Sequence, residues 1–515
     1  MPYPHTMNAL SLNRLPGRVA LSALAAASMF ALVACGGGGG SSPSTGTQAT
    51  AASTATYSGA VSGLGSIVVN GVRFSTSGAS TVDPDDGASP YLRAFALGTT
   101  VSVVGDVDDS SATATASSIV VHGGVRGVVS AVNTTNSTLT VAGQVIGVDS
   151  NTIFAINGST QTLAGLQTLL GGGTVYAEVY VVGDANGGLL ATRVEQESAL
   201  IGGYAVVGKI VAGSLDTTAH TFSLLLRTGV TLSVSYADNN VRPAGATLAE
   251  GTSVRVITAT DPAGAASVTA TKVIVKRDRA ITGRAKLRGV VASTSGNTWV
   301  VNDVTVDVSQ ARLEGLPSRR VSVGSFVKVQ GSFSNGVLVA SKVEADNREY
   351  DAGNGGGIKL YGVVSNATAA SGGTPATFSI QGVTLTLPAS GVTLPANGTY
   401  VEVIARLVNG VMTVVNLGSG SDGARGFEVY GTTPCTNGSS DLMVSAFTLT
   451  LGSGGTTSTA TVDGRNAVID LENGANMAAA TSGTAQCLVE VKGAVNSSGA
   501  IAATRIEVKS RTLTP

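Results

Sequence analysis

Aromatic and ionisable side chains are both scarce. Phe, Trp and Tyr make up 4% of the 515 residues, with one tryptophan, Trp299, and charged residues reach only 12%. Open β surfaces that bind single strands or sugars rely on exposed rings as stacking platforms. That supply is thin here, and the alternation around Trp299, Tyr176, Tyr180 and Tyr204 places these rings in strands, facing a core. Histidine is limited to His5, His122 and His220, far apart in sequence, which argues against a histidine-based metal or nucleophile site. The acidic runs Asp83, Asp85, Asp86 and Asp106, Asp108, Asp109 lack the full spacing of a calcium loop. The glycine tracts 36–40 and 171–173 lack the Lys-Ser/Thr that completes a phosphate loop. Dispersed carboxylates such as Glu178, Glu195 and Glu402 sit at alternate strand positions and read as outward-facing. The sequence therefore assigns no catalytic residue, no metal ligand and no cofactor, and the chain reads as a non-enzyme.

Long apolar runs are absent after Val33, so the body contains no candidate transmembrane helix. Before that point the pattern differs. Arg14 and Arg18 form a positive region, residues 19–33 an apolar one, and Leu32-Val33-Ala34-Cys35 opens onto Gly36–Gly40. This stretch resembles the lipobox of bacterial lipoprotein signal peptides. The resemblance implies cleavage before Cys35, acylation of the Cys35 sulfur, and attachment to a membrane through the lipidated N-terminus. One acyl chain binds a bilayer marginally, whereas two or three hold a protein durably. Gly36 and Gly37 are not the aspartate that retains such proteins at the inner membrane. The expected location is the outer membrane, lipid-anchored, facing the periplasm or the cell surface. Residues 1–34 are then the signal and 35–56 the lipidated cysteine with a Gly/Ser/Thr-rich tether.

Removing Arg14 and Arg18 from the 31 basic residues leaves 29 against 32 acidic, a net charge of −3, which gives no drive toward nucleic acid. The charge is unevenly spread. Residues 272–328 hold eleven basic and four acidic residues. Lys276, Arg277, Arg279, Arg284, Lys286 and Arg288 are the candidate contacts for an anionic ligand, the alternative being ordinary solvated strand faces. Of the three cysteines, Cys35 is committed to lipid. Cys435 and Cys487 remain as an even pair in an exported chain and are expected to form a disulfide.

What is abundant is glycine, 68 residues, and a repeated plan of strands. Each unit begins with a strand such as Val128-Val129-Ser130-Ala131-Val132. A tight hairpin follows, as at Val68-Val69-Asn70-Gly71-Val72 or Ile380-Gln381-Gly382-Val383, where a two-residue turn needs positive φ. Later comes a glycine-led alternating strand (Gly251-Thr252-Ser253-Val254-Arg255-Val256). Most units close with Ala-Ser/Thr-x-Val/Ile: Ala116-Ser117, Ala191-Thr192, Ala270-Thr271, Ala340-Ser341 and Ala503-Thr504. In the second unit Leu163, Leu166, Leu169 and Leu170 have helical spacing. Five strands with a small helix after the third is the plan of an OB-like barrel. The expected fold is all-β: a tandem array of about six small five-stranded OB-like β-barrel repeats at 57–121, 124–197, 202–277, 283–346, 358–417 and 425–509.

These repeats resemble a domain of unknown function, number 5666, found in tandem in exported Gram-negative proteins. The resemblance rests on the hairpins and the closing Ala-Ser/Thr-x-Val/Ile strand. It implies a β-barrel repeat and an envelope location and brings no activity. Three functional readings follow. The first is a non-enzymatic cell-envelope lipoprotein acting as a spacer or binding module for a protein or polysaccharide. The second is a binder of anionic glycan or lipid through the basic region of repeats 3 and 4. The third is a carbohydrate-active enzyme with a site between repeats.

Overall fold

The computed structural model describes residues 53–514, apart from 83–94, 109–112, 158–160, 184–187, 227–228, 276–282, 302–303, 316–320, 346–357, 420–426, 452–457, 472–476, 478–483 and positions 324, 335 and 497. Cys35, the segments 1–34 and 35–52, Lys276, Arg277, Arg279, and Asp83, Asp85 and Asp86 lie outside the described residues, as does the Arg288 side chain.

One pairing circuit recurs six times. In barrel 2 the strands are Val125–Asn133, Thr138–Val141, Gln144–Gly147, Tyr176–Gly183 and Leu189–Glu197. The first pairs with the second, the second with the third and the third, in parallel, with the fifth. The fifth then pairs with the fourth, and the fourth with the first. The ring is closed, with strand order 1-2-3-5-4. Barrel 1 (53–121), barrel 3 (204–275), barrel 4 (283–345), barrel 5 (358–419) and barrel 6 (427–514) close the same way. The helix of barrel 2 spans Leu163–Gly171, starts where the Thr162 hydroxyl accepts from the Gly165 amide, and buries Leu166. The hairpin turns use Asn70 (φ 52°) with Gly71 (φ 80°) and Gln381 (φ 52°) with Gly382 (φ 79°).

The repeated Ala-Ser/Thr has a physical cause. In five barrels the closing strand carries a β-bulge against the fourth strand, and the Ser or Thr is the extra residue. Its hydroxyl donates to a fourth-strand carbonyl: Ser117 to Val104 (3.0 Å), Thr192 to Tyr180 (3.2 Å), Thr271 to Ile257 (3.1 Å), Ser341 to Gln330 (3.2 Å) and Thr504 to Lys492 (3.1 Å). The alanine before it is buried in every case. Barrel 5 has the same bulge, with Val415 as the extra residue, 46% exposed and without a hydroxyl. Replacing Val415 by threonine is therefore expected to stabilise the protein by about 0.5–1 kcal/mol, the net worth of one hydrogen bond. Urea unfolding of the variant against the parent measures it, and a loss of stability would contradict this role for the hydroxyl.

Closure of each ring still leaves edges. The first strand of barrel 1, Ser53–Leu64, pairs with the fourth strand along residues 53–60 and with the second only at Val61 and Gly63. Each half keeps one open edge. The first half takes barrel 4's first strand in parallel, Ala55 opposite Arg284 through Ser58 opposite Leu287. The second half takes barrel 5's first strand, Gly63 opposite Lys359 and Leu64 opposite Leu360. Barrels 1, 4 and 5 thereby share one 18-stranded sheet, and barrels 2 and 3 share one of 12 strands. Pairing of this kind covers edges that would otherwise invite aggregation. It also explains why the strand starts at Ser53, inside the segment 35–56 assigned to the tether. Barrels 1 and 5 further share a core, in which Tyr57, Phe74, Phe378 and Ile380 are fully buried. The disulfide Cys435–Cys487 is formed, joining the end of barrel 6's first strand to its fourth, and both residues are buried.

Candidate functional site

The barrels' outer faces carry more buried charge than their cores. Glu178 and Glu195 do point away from their own barrel core, as alternation requires, yet they are only 3% and 6% exposed because another barrel covers them. Barrels 2 and 3 meet through equivalent positions. Arg255, on the fourth strand of barrel 3, places Nη2 3.1 Å from Glu178 Oε1 on the fourth strand of barrel 2. Its Nε donates to the carbonyl of Gly124, just before barrel 2 (2.6 Å). Reciprocally, Arg126 of barrel 2 donates to the carbonyls of Gly203 (2.8 Å) and Gly202 (2.9 Å), just before barrel 3, and lies 3.6 Å from Glu178. Each barrel's arginine thus holds the other's lead-in glycine. The Gln144 side chain adds a two-way bond to the Val207 backbone, at 2.8 and 2.9 Å.

A second charged seam joins barrel 1 to barrel 6. Residues 75–78, at the end of barrel 1's third strand, lie over three glutamates. Ser75 and Ser66 donate to Glu428 (2.6 and 2.8 Å), Thr76 to Glu490 (3.0 Å) and Ser77 to Glu507 (2.5 Å), and the Gly78 amide reaches Glu507 at 3.3 Å. Lys509, 3% exposed, bridges Glu490 (2.8 Å) and Glu507 (2.7 Å), and Lys492 pairs with Glu428 (3.1 Å). Burial pushes the Glu490 carboxyl up to about 7 against the opposing pull of Lys509, with Glu428 and Glu507 reinforcing the rise. Burial likewise raises the Tyr430 hydroxyl, which stands beside these carboxylates.

The sequence-derived basic cluster is only partly in view. Arg284 is exposed, whereas Lys286 is half-buried at the seam between barrels 1 and 4, its Nζ 5.5 Å from the centre of the Tyr57 ring. Both lie on the first strand of barrel 4, along the edge that pairs with barrel 1. Trp299 is core, as alternation suggests, and Tyr180 is buried against the barrel 1 and 5 core rather than its own. Ser102 and His122 Nε2 lie 2.7 Å apart, with the Ser58 hydroxyl 3.0 Å from Ser102. Among the described residues no group of three or more His, Cys, Asp or Glu is arranged to hold a metal ion.

The junction of barrels 1, 2 and 5 holds a cavity of about 120 Å³ that is partly open to solvent. Leu64, Phe95 and Leu97 come from barrel 1, Ile153, Phe154 and Arg193 from barrel 2, and Val383, Leu407 and Met412 from barrel 5. Three glycines, all at positive φ, set the walls. A Cβ at Gly98 of barrel 1 would meet the Thr192 carbonyl of barrel 2; one at Gly65 of barrel 1, the Tyr361 carbonyl of barrel 5. One at Gly410 of barrel 5 would meet the Gln161 carbonyl of barrel 2. Each pair of barrels around the cavity is thus in backbone contact at a site that admits no side chain. Arg193 is fixed by Glu195 (2.9 Å) and by the Leu97 carbonyl of barrel 1 (3.3 Å). Periodicity alone does not reveal this site. Its one signal in the sequence is the Arg193–Glu195 spacing in the closing strand, repeated as Arg505–Glu507 at the barrel 1 and 6 seam.

Closed rings of order 1-2-3-5-4 define a tandem OB-like barrel protein. The model of the family described as a domain of unknown function (DUF5666) matches residues 58–119, 126–195 and 288–344, which fall in barrels 1, 2 and 4. No curated protein matches the chain. Among solved structures, one titled "drosophila Unr CSD456" matches at 15% identity over 42% of this chain and 97% of that one, with a TM-score of 0.12, too low to carry a functional reading.

Proposed function

We propose that the chain is a non-catalytic, lipid-anchored protein of the cell envelope whose barrels form a binding body for a protein or polysaccharide partner. Residues 32–35 supply the anchor and Cys35 its acylation point, at the outer membrane. The observation that favours a binding body over an extended spacer is the use of buried charge: Arg255, Glu178, Glu428, Glu490 and Glu507 all join one barrel to another. Links of that kind hold outer surfaces in fixed relation, which lowers the ordering cost of binding a large partner.

Expression in a Gram-negative host with labelled palmitate tests the anchor. The parent is expected to take up label and sediment with membranes, and Cys35→Ser to lose the label and most of its sedimentation. Equal fractionation of the two would refute the lipid anchor. Affinity capture from envelope extract, with the Cys35→Ser chain in parallel, tests the partner; the same protein or glycan should be retained by both forms.

A further inference from the structure

We propose that the cavity between barrels 1, 2 and 5 is a binding site for a small uncharged aromatic molecule of about one ring. The size argues first. An apolar cavity of about 150 Å³ takes up benzene, and the partly open one here offers room of that order, about 120 Å³. The lining argues next. Phe95 and Phe154 offer ring edges and faces, Met412 a thioether that packs favourably on aromatics, and Leu64, Leu97, Ile153 and Leu407 complete an apolar wall.

The polar residues on the wall are already engaged in building it. Gln161 exchanges bonds with the Ile156 amide (3.0 Å) and carbonyl (2.7 Å). Gln381 donates to the carbonyls of Tyr361 (3.2 Å) and Glu428 (3.1 Å). Arg193 is paired with Glu195, so the wall presents a compensated charge. An anionic ligand would shed its water without gaining an uncompensated cation. A neutral ring meets no such penalty.

The site is preformed. Gly98, Gly65 and Gly410 lock the three barrels at backbone contact around it, so little ordering cost is left for the ligand to meet. Thr384, also on the wall, is exposed, and gives the cavity an outlet to solvent. The proposal rests on neither the anchor nor the macromolecular partner, and its test is independent of both.

The experiment is a ligand-observed fluorine NMR titration of the full chain carrying Cys35→Ser, with fluorobenzene and 4-fluorobenzoate as probes. Fluorobenzene is expected to bind saturably at one site, and 4-fluorobenzoate about tenfold or more weakly. Met412→Trp, which fills the cavity, and Thr384→Trp, placed at its exposed wall, are each expected to weaken fluorobenzene about tenfold. Thr384 lies outside the core, so that variant keeps the test valid even where Met412→Trp disturbs folding. Non-saturable fluorobenzene, equal binding of the benzoate, or parental affinity in Thr384→Trp would overturn the proposal.

Discussion

Replacing Arg255 by alanine is expected to lower the unfolding free energy by about 3–5 kcal/mol, the usual cost of breaking a buried pair by removing one partner. Arg255 is 1% exposed and holds both Glu178 and the Gly124 carbonyl. Without it Glu178, itself 3% exposed, keeps Arg126 at 3.6 Å and loses its shorter partner. Arg255→Lys retains charge but not the fork that reaches both acceptors, and should fall between parent and alanine. Chemical denaturation followed by circular dichroism measures all three. A loss under 1 kcal/mol for Arg255→Ala would mean that barrels 2 and 3 do not bury this pair in solution.

The second large effect is a pH dependence at the barrel 1 and 6 seam. Glu490 sits at about 7 in the folded chain against an ordinary value of 4.5. A raised carboxyl means that the folded state binds the proton more tightly than the unfolded state. Its contribution to stability is therefore greatest below pH 4.5, declines as pH rises from 4.5 to 7, and is flat above. The span corresponds to about 3 kcal/mol. The groups facing Glu490 are Lys509, Glu428, Glu507, Tyr430 and Thr76. Glu490→Gln keeps a side chain that can accept from Thr76 and removes the titration. The parent should lose about 3 kcal/mol more than this variant between pH 4.5 and pH 8, measured by urea unfolding at both values. Parallel pH profiles would show that Glu490 does not titrate in this window.

The architecture of a single barrel was largely legible in the residues. Alternation located the strands, Asn70-Gly71 and Gln381-Gly382 located turns that need positive φ, and the leucines at 163, 166, 169 and 170 located the helix. The closing Ala-Ser/Thr was visible as a pattern, but its meaning, a bulge residue whose hydroxyl caps the partner strand, required the pairing register. The relation between barrels was not legible. Period-two reasoning reports which side chains leave a barrel's own core, and stops there. It places Glu178 and Glu195 outside correctly and is silent on what covers them, because nothing local marks Arg255, 77 residues away, as the partner of Glu178. Glycines at 65, 98 and 410 look like ordinary turn residues, and only the facing carbonyl of another barrel shows why a side chain is excluded there. Open edges on the first strand are equally silent, since backbone pairing between barrels leaves no trace in side-chain alternation.

The central claim, that the barrels are bound to one another through buried carboxylates, is tested most directly by a double-mutant cycle on Thr76→Val and Glu490→Leu, which removes the acceptor, at residues 414 apart in sequence and 3.0 Å apart in space. Denaturant unfolding of the parent, both singles and the double gives the coupling energy. A coupling of about 1.5–3 kcal/mol is predicted at pH 8, where Glu490 is ionised, the scale of a hydrogen bond to a charged group. Additivity within about 0.3 kcal/mol would mean that barrels 1 and 6 fold as separate beads, and would contradict it.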